Sequence, residues 1–180
     1  YTNSHTHIPD KDNSVISVLN LSDINNFELP KDIMANNLYY SAGIHPYNID
    51  DLYKQKLELL RNLCVKEDLK AIGECGIDKL NSKANLDVQL SVFRDQLNIA
   101  QHFQLPVIIH NVRGTNEIIK EIKQFPNLKY MLHGFNKNKR IMDVFLVYGC
   151  YISIGFNFVR GHLNNIIRDI PKDRILLESD

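Results

Sequence analysis

Residues 70–110, KAIGECGIDKLNSKANLDVQLSVFRDQLNIAQHFQLPVIIH, carry the pattern that decides the fold. A short, mostly apolar run at 70–75 is followed by a long segment, residues 85–103, with apolar residues at Leu86, Leu90, Phe93, Leu97 and Ala100. A second short run follows at 106–110. Three- and four-residue spacing is helical, whereas short apolar runs between polar loops read as strands covered on both faces. Strand, helix, strand in that order is the unit of a parallel sheet. Both strands also end in side chains able to bind cations, Glu74 and His110.

The same alternation extends in both directions. Toward the C-terminus the pattern predicts a helix at 116–124, a strand at 129–133 (KYMLH), a helix at 137–148 and a strand at 150–154. A short helix at 163–169 and a last strand at 174–178 (RILLE) complete it. Toward the N-terminus it predicts a helix at 50–67, preceded by strands at 38–44, 15–21 and 1–7 with no helical period between them. Eight strands with five helical connections read as parallel α/β. An eight-stranded (β/α) TIM-like barrel closes such a sheet without an exposed edge. At 180 residues the barrel is compressed, with early helices and the final helix missing, and forms a single domain over residues 1–180. An open doubly wound sheet is the alternative, but its crevice would not gather residues from strands one, four, five, six and eight.

The chain is 44% hydrophobic and 23% charged, with a formal net charge of zero and a pI near 7.2. No global electrostatic signature of a nucleic-acid binder is present, so any anion must be held locally. Three cysteines at irregular spacing, without a CxxC pair, argue against a disulfide framework and fit a reducing cytosol. No apolar run reaches transmembrane length, which predicts a cytoplasmic protein with no membrane association; no obligate protein partner is evident in the sequence.

The chemistry lies at the strand ends. In an extended strand His5 and His7 point to one face, about 7 Å apart, and can grip one cation. Glu74, His110, His133 and Asp180 close strands four, five, six and eight, on the face where barrel active sites are built. A glutamate among Ala71, Ile72 and Gly73 would be a costly unpaired charge unless a cation balances it. Four histidines and two carboxylates on one rim suit one or two divalent ions, zinc, manganese or magnesium. His45 and Arg113 stand near that rim and are candidates to hold phosphate. His102 and His162 read as surface residues.

These residues sit in a series of motifs: His5-Thr6-His7, Gly43-Ile44-His45-Pro46, Ala71-Ile72-Gly73-Glu74-Cys75-Gly76-Ile77-Asp78, Leu105 to His110, Leu132-His133-Gly134-Phe135 and Leu176-Leu177-Glu178-Ser179-Asp180. In this order they resemble the successive signatures of the TatD family of metal-dependent deoxyribonucleases, within the amidohydrolase-like barrels. The resemblance implies a barrel with a dinuclear site, hydrolysis of phosphodiester bonds in DNA and a cytoplasmic location. It assigns His5, His7, Glu74 and Asp180 to one ion, with Glu74 bridging to a second held by His110 and His133. Three positions depart from the family pattern. Asn3 replaces a common Asp, Tyr47 replaces a frequent second histidine, and two residues rather than one separate His110 from Arg113.

Such a site activates water and binds a non-bridging phosphate oxygen, so no serine or cysteine nucleophile is required. Asp180 is the candidate to take the proton from that water. Two other functions use related chemistry or none: hydrolysis of a small amide, lactone or phosphoester, and a degenerate barrel that binds without turnover.

Overall fold

The computed structural model describes residues 2–7, 15–21, 37–66, 69–155 and 166–179. Eight strands form one parallel sheet, hydrogen-bonded in chain order: β1 (Thr2–Thr6), β2 (Ile16–Leu21), β3 (Leu38–Ala42), β4 (Leu69–Asp78), β5 (Val107–Val112), β6 (Tyr130–Leu132), β7 (Tyr151–Ile154) and β8 (Ile175–Leu177). The last strand returns to the first. The Ser4 hydroxyl donates to the Leu177 carbonyl at 2.8 Å, and the Ser179 backbone N–H donates to the His5 carbonyl at 3.3 Å. The barrel is therefore nearly closed.

Among the described residues four α-helices cover the sheet: α1 (Tyr53–Val65), α2 (Leu86–Phe103), α3 (Thr115–Ile122) and α4 (Lys139–Val147). Asn85 starts α2 by accepting the Val88 N–H, and Asn138 starts α4 by accepting that of Ile141, each relieving an unpaired first-turn donor. The inner stripe of α2 includes Val92, Phe93, Leu97 and Ala100, all buried. These side chains join the main core between helices and sheet, where burying a residue such as Phe93 or Phe145 stabilises by roughly 1.5–3 kcal/mol.

A second, smaller cluster fills the barrel itself: Ala71, Ile108 and Met131, flanked by Val18, Tyr151 and Leu176. Along β5, Val107 and Ile109 face the helices while Ile108 faces the lumen, so the period of two aims His110 inward as well.

The structure differs from the sequence expectation at three places. Strand four runs on to Asp78, beyond Cys75, because Gly73 and Gly76 do not break it. Both take positive φ and press so closely on Ile108 and His110 of β5 that a Cβ would overlap their carbonyl oxygens. After strand three, Pro46–Asn48 forms a short 3-10 turn capped by His45. Of the helix expected at 163–169, Ile167–Asp169 is a single 3-10 turn, and 163–165 lie outside the described residues. Also outside them are Tyr1, Glu67, His162, Asp180 and the helix-free connections expected after strands one and two, at 8–14 and 22–36.

No helix among the described residues is long and apolar enough to cross a membrane. Cys64, Cys75 and Cys150 are all free and buried. Burial pushes the Cys64 thiol up to about 11 and that of Cys150 to about 12, and raises Cys75 further, with the neighbouring Glu74 charge adding to the effect. Below these values the thiols stay protonated and poorly nucleophilic. At pH 8 the native protein should therefore react with an aromatic disulfide reagent only as fast as it opens, while the denatured chain titrates three thiols at once. Rapid modification of any one of them in the native state would contradict this packing.

Candidate metal centre

The centre is built by side chains that continue the lumen face above the small inner core. His110 stands two residues past Ile108, His133 two past Met131, and Glu178 two past Leu176. Glu74 stands three past Ala71. An even period would turn it toward the helices, but β4 shifts register against β5 between Ile72 and Cys75. Such a bulge re-aims the following side chain. A similar shift between Asn3 and Thr6 in β1 accompanies the inward placement of His5, which is wholly buried.

Five imidazoles surround the Glu74 carboxylate, itself only 6% exposed. Oε1 lies 2.6 Å from His110 Nδ1, 2.8 Å from His133 Nε2 and 3.5 Å from His45 Nε2. Oε2 lies 3.6 Å from His5 Nε2 and 3.9 Å from His7 Nε2. Burial would raise the Glu74 pKa, but hydrogen bonds from His110, His133 and His45 outweigh it and hold the group far below the usual carboxylate range. His133 shows the reciprocal effect. Desolvation lowers its pKa, but Glu178 and Glu74 overcome this and raise it to about 10.

The donors form two overlapping groups that share Glu74, one with His5 and His133 and the other with His45 and His110. This grouping differs from the partition implied by the resemblance, because the His133 ring reaches across the lumen to within 4.6 Å of the His5 ring. His45 needs separate treatment. Its Nδ1 accepts the Tyr47 backbone N–H at 3.1 Å, so the proton of the neutral ring is on Nε2, the atom facing Glu74. It is thus arranged to donate a hydrogen bond rather than to ligate.

Four partners escaped the sequence reading. Asp78 accepts the Leu80 and Asn81 backbone N–H groups through Oδ1, and its Oδ2 lies 3.3 Å from His110 Nε2. These hydrogen bonds outweigh its burial and keep its pKa below the ordinary value. Glu178 accepts the Gly134 N–H at 2.6 Å and stands 3.7 Å from His133 Nδ1. Asn20 Oδ1 accepts the Glu74 backbone N–H at 3.2 Å. Gln96 clasps both backbone polar groups of Ile44, accepting its N–H and donating to its carbonyl, and so anchors the residue before His45. The signal for Asn20 and Glu178 was available, since each lies two residues past a lumen side chain, Val18 or Leu176. Asp78 also lies an even number of residues past Glu74 on β4, whereas Gln96, on α2, carried no such signal.

A mixed set of imidazole nitrogens and carboxylate oxygens, concentrated in one buried cluster, fits a first-row divalent ion such as zinc or manganese. Glu178 Oε2, buried and without a hydrogen-bond partner among the described residues, adds acceptor capacity beside His133. His7 is the outermost of the cluster, with a side chain 40% exposed. Arg113 is exposed just past β5. His102 is on the surface as expected, its ring against Phe103. Asp180 lies outside the described residues.

A parallel eight-stranded barrel with nitrogen and oxygen donors converging at the carboxyl ends of its strands defines the class of (β/α) barrels with a candidate metal centre. Within that class the chain belongs to the TatD family, since the model of TatD related DNases matches residues 11–180. It is 32% identical over 78% of its length to the 3'-5' ssDNA/RNA exonuclease TatD of Erwinia tasmaniensis, covering 56% of that protein. It is 28% identical over 79% of its length to the uncharacterized metal-dependent hydrolase YabD of Bacillus subtilis, covering 58% of it. The chain thus spans under three fifths of the length of these two relatives. The crystal structure of a TatD family hydrolase from Entamoeba histolytica superposes with a TM-score of 0.82 at 24% identity, over 93% of this chain and 61% of that one, a likeness of fold.

Proposed function

We propose that the chain carries the phosphodiesterase centre of a metal-dependent nuclease that cleaves DNA in the cytoplasm. The observation that supports it most is the convergence of His5, His7, His110 and His133 on the one buried carboxylate of Glu74. In this reading these five residues and Asp180 hold one or two divalent ions, zinc, manganese or magnesium. Bound there, the ions would supply Lewis acidity, lowering the pKa of water and offsetting charge on the phosphate.

The chain's own residues do the rest. Glu74, common to both donor groups, keeps the two halves of the centre together. Asp78, on His110 Nε2, orients that ring so that Nδ1 faces the centre, as a carboxylate behind a ligating histidine does. His45 donates its Nε2 proton to a non-bridging oxygen of the scissile phosphate, and Arg113 holds backbone phosphate from the rim. Asp180 takes a proton from the attacking water as the new P–O bond forms. The old P–O bond then breaks, and the proton passes to the departing oxygen. Asp180 follows Ser179, whose N–H is bonded to the His5 carbonyl, and stands two residues past Glu178.

The test is a panel of single-stranded DNA, a chromogenic phosphodiester and a dipeptide, each with added manganese or with chelator. Cleavage of the first two only, abolished by chelator, is expected. Cleavage of the dipeptide alone would assign amide hydrolysis instead.

A further inference from the structure

Beside the metal centre lies a groove of about 430 Å³ between the ends of β4 and β5 and the first turns of α3 and α4. Three cationic side chains line it: Lys79, Arg113 and Arg140. Lys79 is neutralised by Glu117 at 2.6 Å. Arg113 and Arg140 have no carboxylate partner among the described residues, so the groove presents two uncompensated guanidinium groups on a chain whose formal net charge is zero. Ile141 and the exposed Val144 give it an apolar floor.

Its position is tied to the centre by strand register. Asp78, in contact with His110, pairs with Val112 across β4 and β5, and the next residues along those strands are Lys79 and Arg113. Lys79 N–H donates to the Val112 carbonyl at 3.0 Å, which holds the two ends level. Arg113 is also fixed in the left-handed region, at φ 56°, which a side-chain-bearing residue adopts only when its surroundings impose it. Asn111 imposes it here, accepting the Gly114 N–H at 3.1 Å and donating to the Thr115 hydroxyl at 3.1 Å. Nothing in the packing of the barrel requires an arginine at this strained and solvent-facing position. A guanidinium presents a planar fork of donors that matches a phosphate bidentately.

We infer that this groove is a second nucleic-acid subsite, in which Arg113 and Arg140 bind the backbone phosphate next along a single strand whose scissile phosphate occupies the metal centre. The inference rests on the nuclease reading above and extends it. A single strand supplies a phosphate at every nucleotide, and its sugars and bases offer apolar faces to Ile141 and Val144. A small phosphodiester has no second phosphate to place there.

The experiment compares a short oligothymidylate with a chromogenic phosphodiester on the full chain in manganese, as a function of salt. Arg140→Glu reverses the charge on the first turn of α4, where an acidic residue is compatible with the helix, so the fold should persist. It should raise KM for the oligonucleotide about tenfold and flatten the log–log dependence of KM on salt by about 0.7 per lost phosphate contact. KM for the small diester should change several-fold less. Arg140→Lys, which keeps the charge, should recover most of the loss. Equal losses on both substrates, or an unchanged KM and salt slope for the oligonucleotide, would overturn the subsite while leaving the nuclease reading intact. Failure of the parent chain to cleave the oligonucleotide at all would overturn both.

Discussion

Replacing Glu74 with alanine should strip the centre of metal and activity in one step. Glu74 is the carboxylate faced by all five histidines, with Oε1 turned to His110, His133 and His45, and Oε2 to His5 and His7. Removing it takes the shared anionic donor from both groups and leaves imidazoles with less charge to balance a divalent ion. Loss of an outer partner of a metal ligand alone costs roughly 10–100-fold in affinity or activity, so loss of the shared donor should cost at least about 10²-fold in kcat. Elemental analysis of the dialysed variant and turnover of the chromogenic phosphodiester measure the two together. Glu74→Gln is the control for shape. It keeps the side-chain volume and the backbone N–H bonded to Asn20, so a loss in this variant as well comes from charge and not from collapse of the lumen. Thermal melting without metal should change less than activity does, because the apolar core between sheet and helices is untouched. If Glu74→Ala holds as much metal as the parent, the bridging role is wrong.

The second large effect should come from Asp180→Asn. Asparagine keeps the size and one coordinating oxygen but has no basic site, so metal content should largely persist while kcat falls by roughly 10²-fold or more, the scale of general base catalysis. The pH profile separates this from a loss of binding. In the parent, kcat/KM should rise as the carboxylate loses its proton, and the variant should lack that limb. Turnover within about twofold of the parent, with metal retained, would mean that another group accepts the proton.

Much of the architecture was open to sequence reading because its signals are local. The helical stripe of Leu86, Phe93 and Leu97 and the apolar runs at 70–75 and 106–110 are properties of adjacent residues, and they led directly to a parallel barrel. That His5, His7, Glu74, His110 and His133 come together was also legible. Polar ligand types at the ends of buried strands are conspicuous when burial makes them expensive. The resemblance carried by the surrounding motifs agrees with the family to which the chain belongs.

What the local pattern could not supply was the direction of side chains where strands depart from ideal pleat. Counting by twos from Ala71 turns Glu74 away from the lumen, and only the register shift against β5, with Gly73 and Gly76 pressed on Ile108 and His110, brings it back. The partners of Asp78 and Gln96 were hidden by distance along the chain. Asp78 meets His110 from 32 residues away, and Gln96 reaches Ile44 across 52. The amino-acid sequence by itself thus determined the class of fold and the order along the chain of the polar residues that gather at the strand ends, because hydrophobic period and the cost of buried charge act within a few residues. Tertiary structure alone decided which atoms face one another: that His45 aims a proton at Glu74 rather than a lone pair, and that two arginines, one just past β5 and one in α4, share a groove. Those outcomes depend on strand register and ring orientation, which are set by contacts between segments distant in the chain.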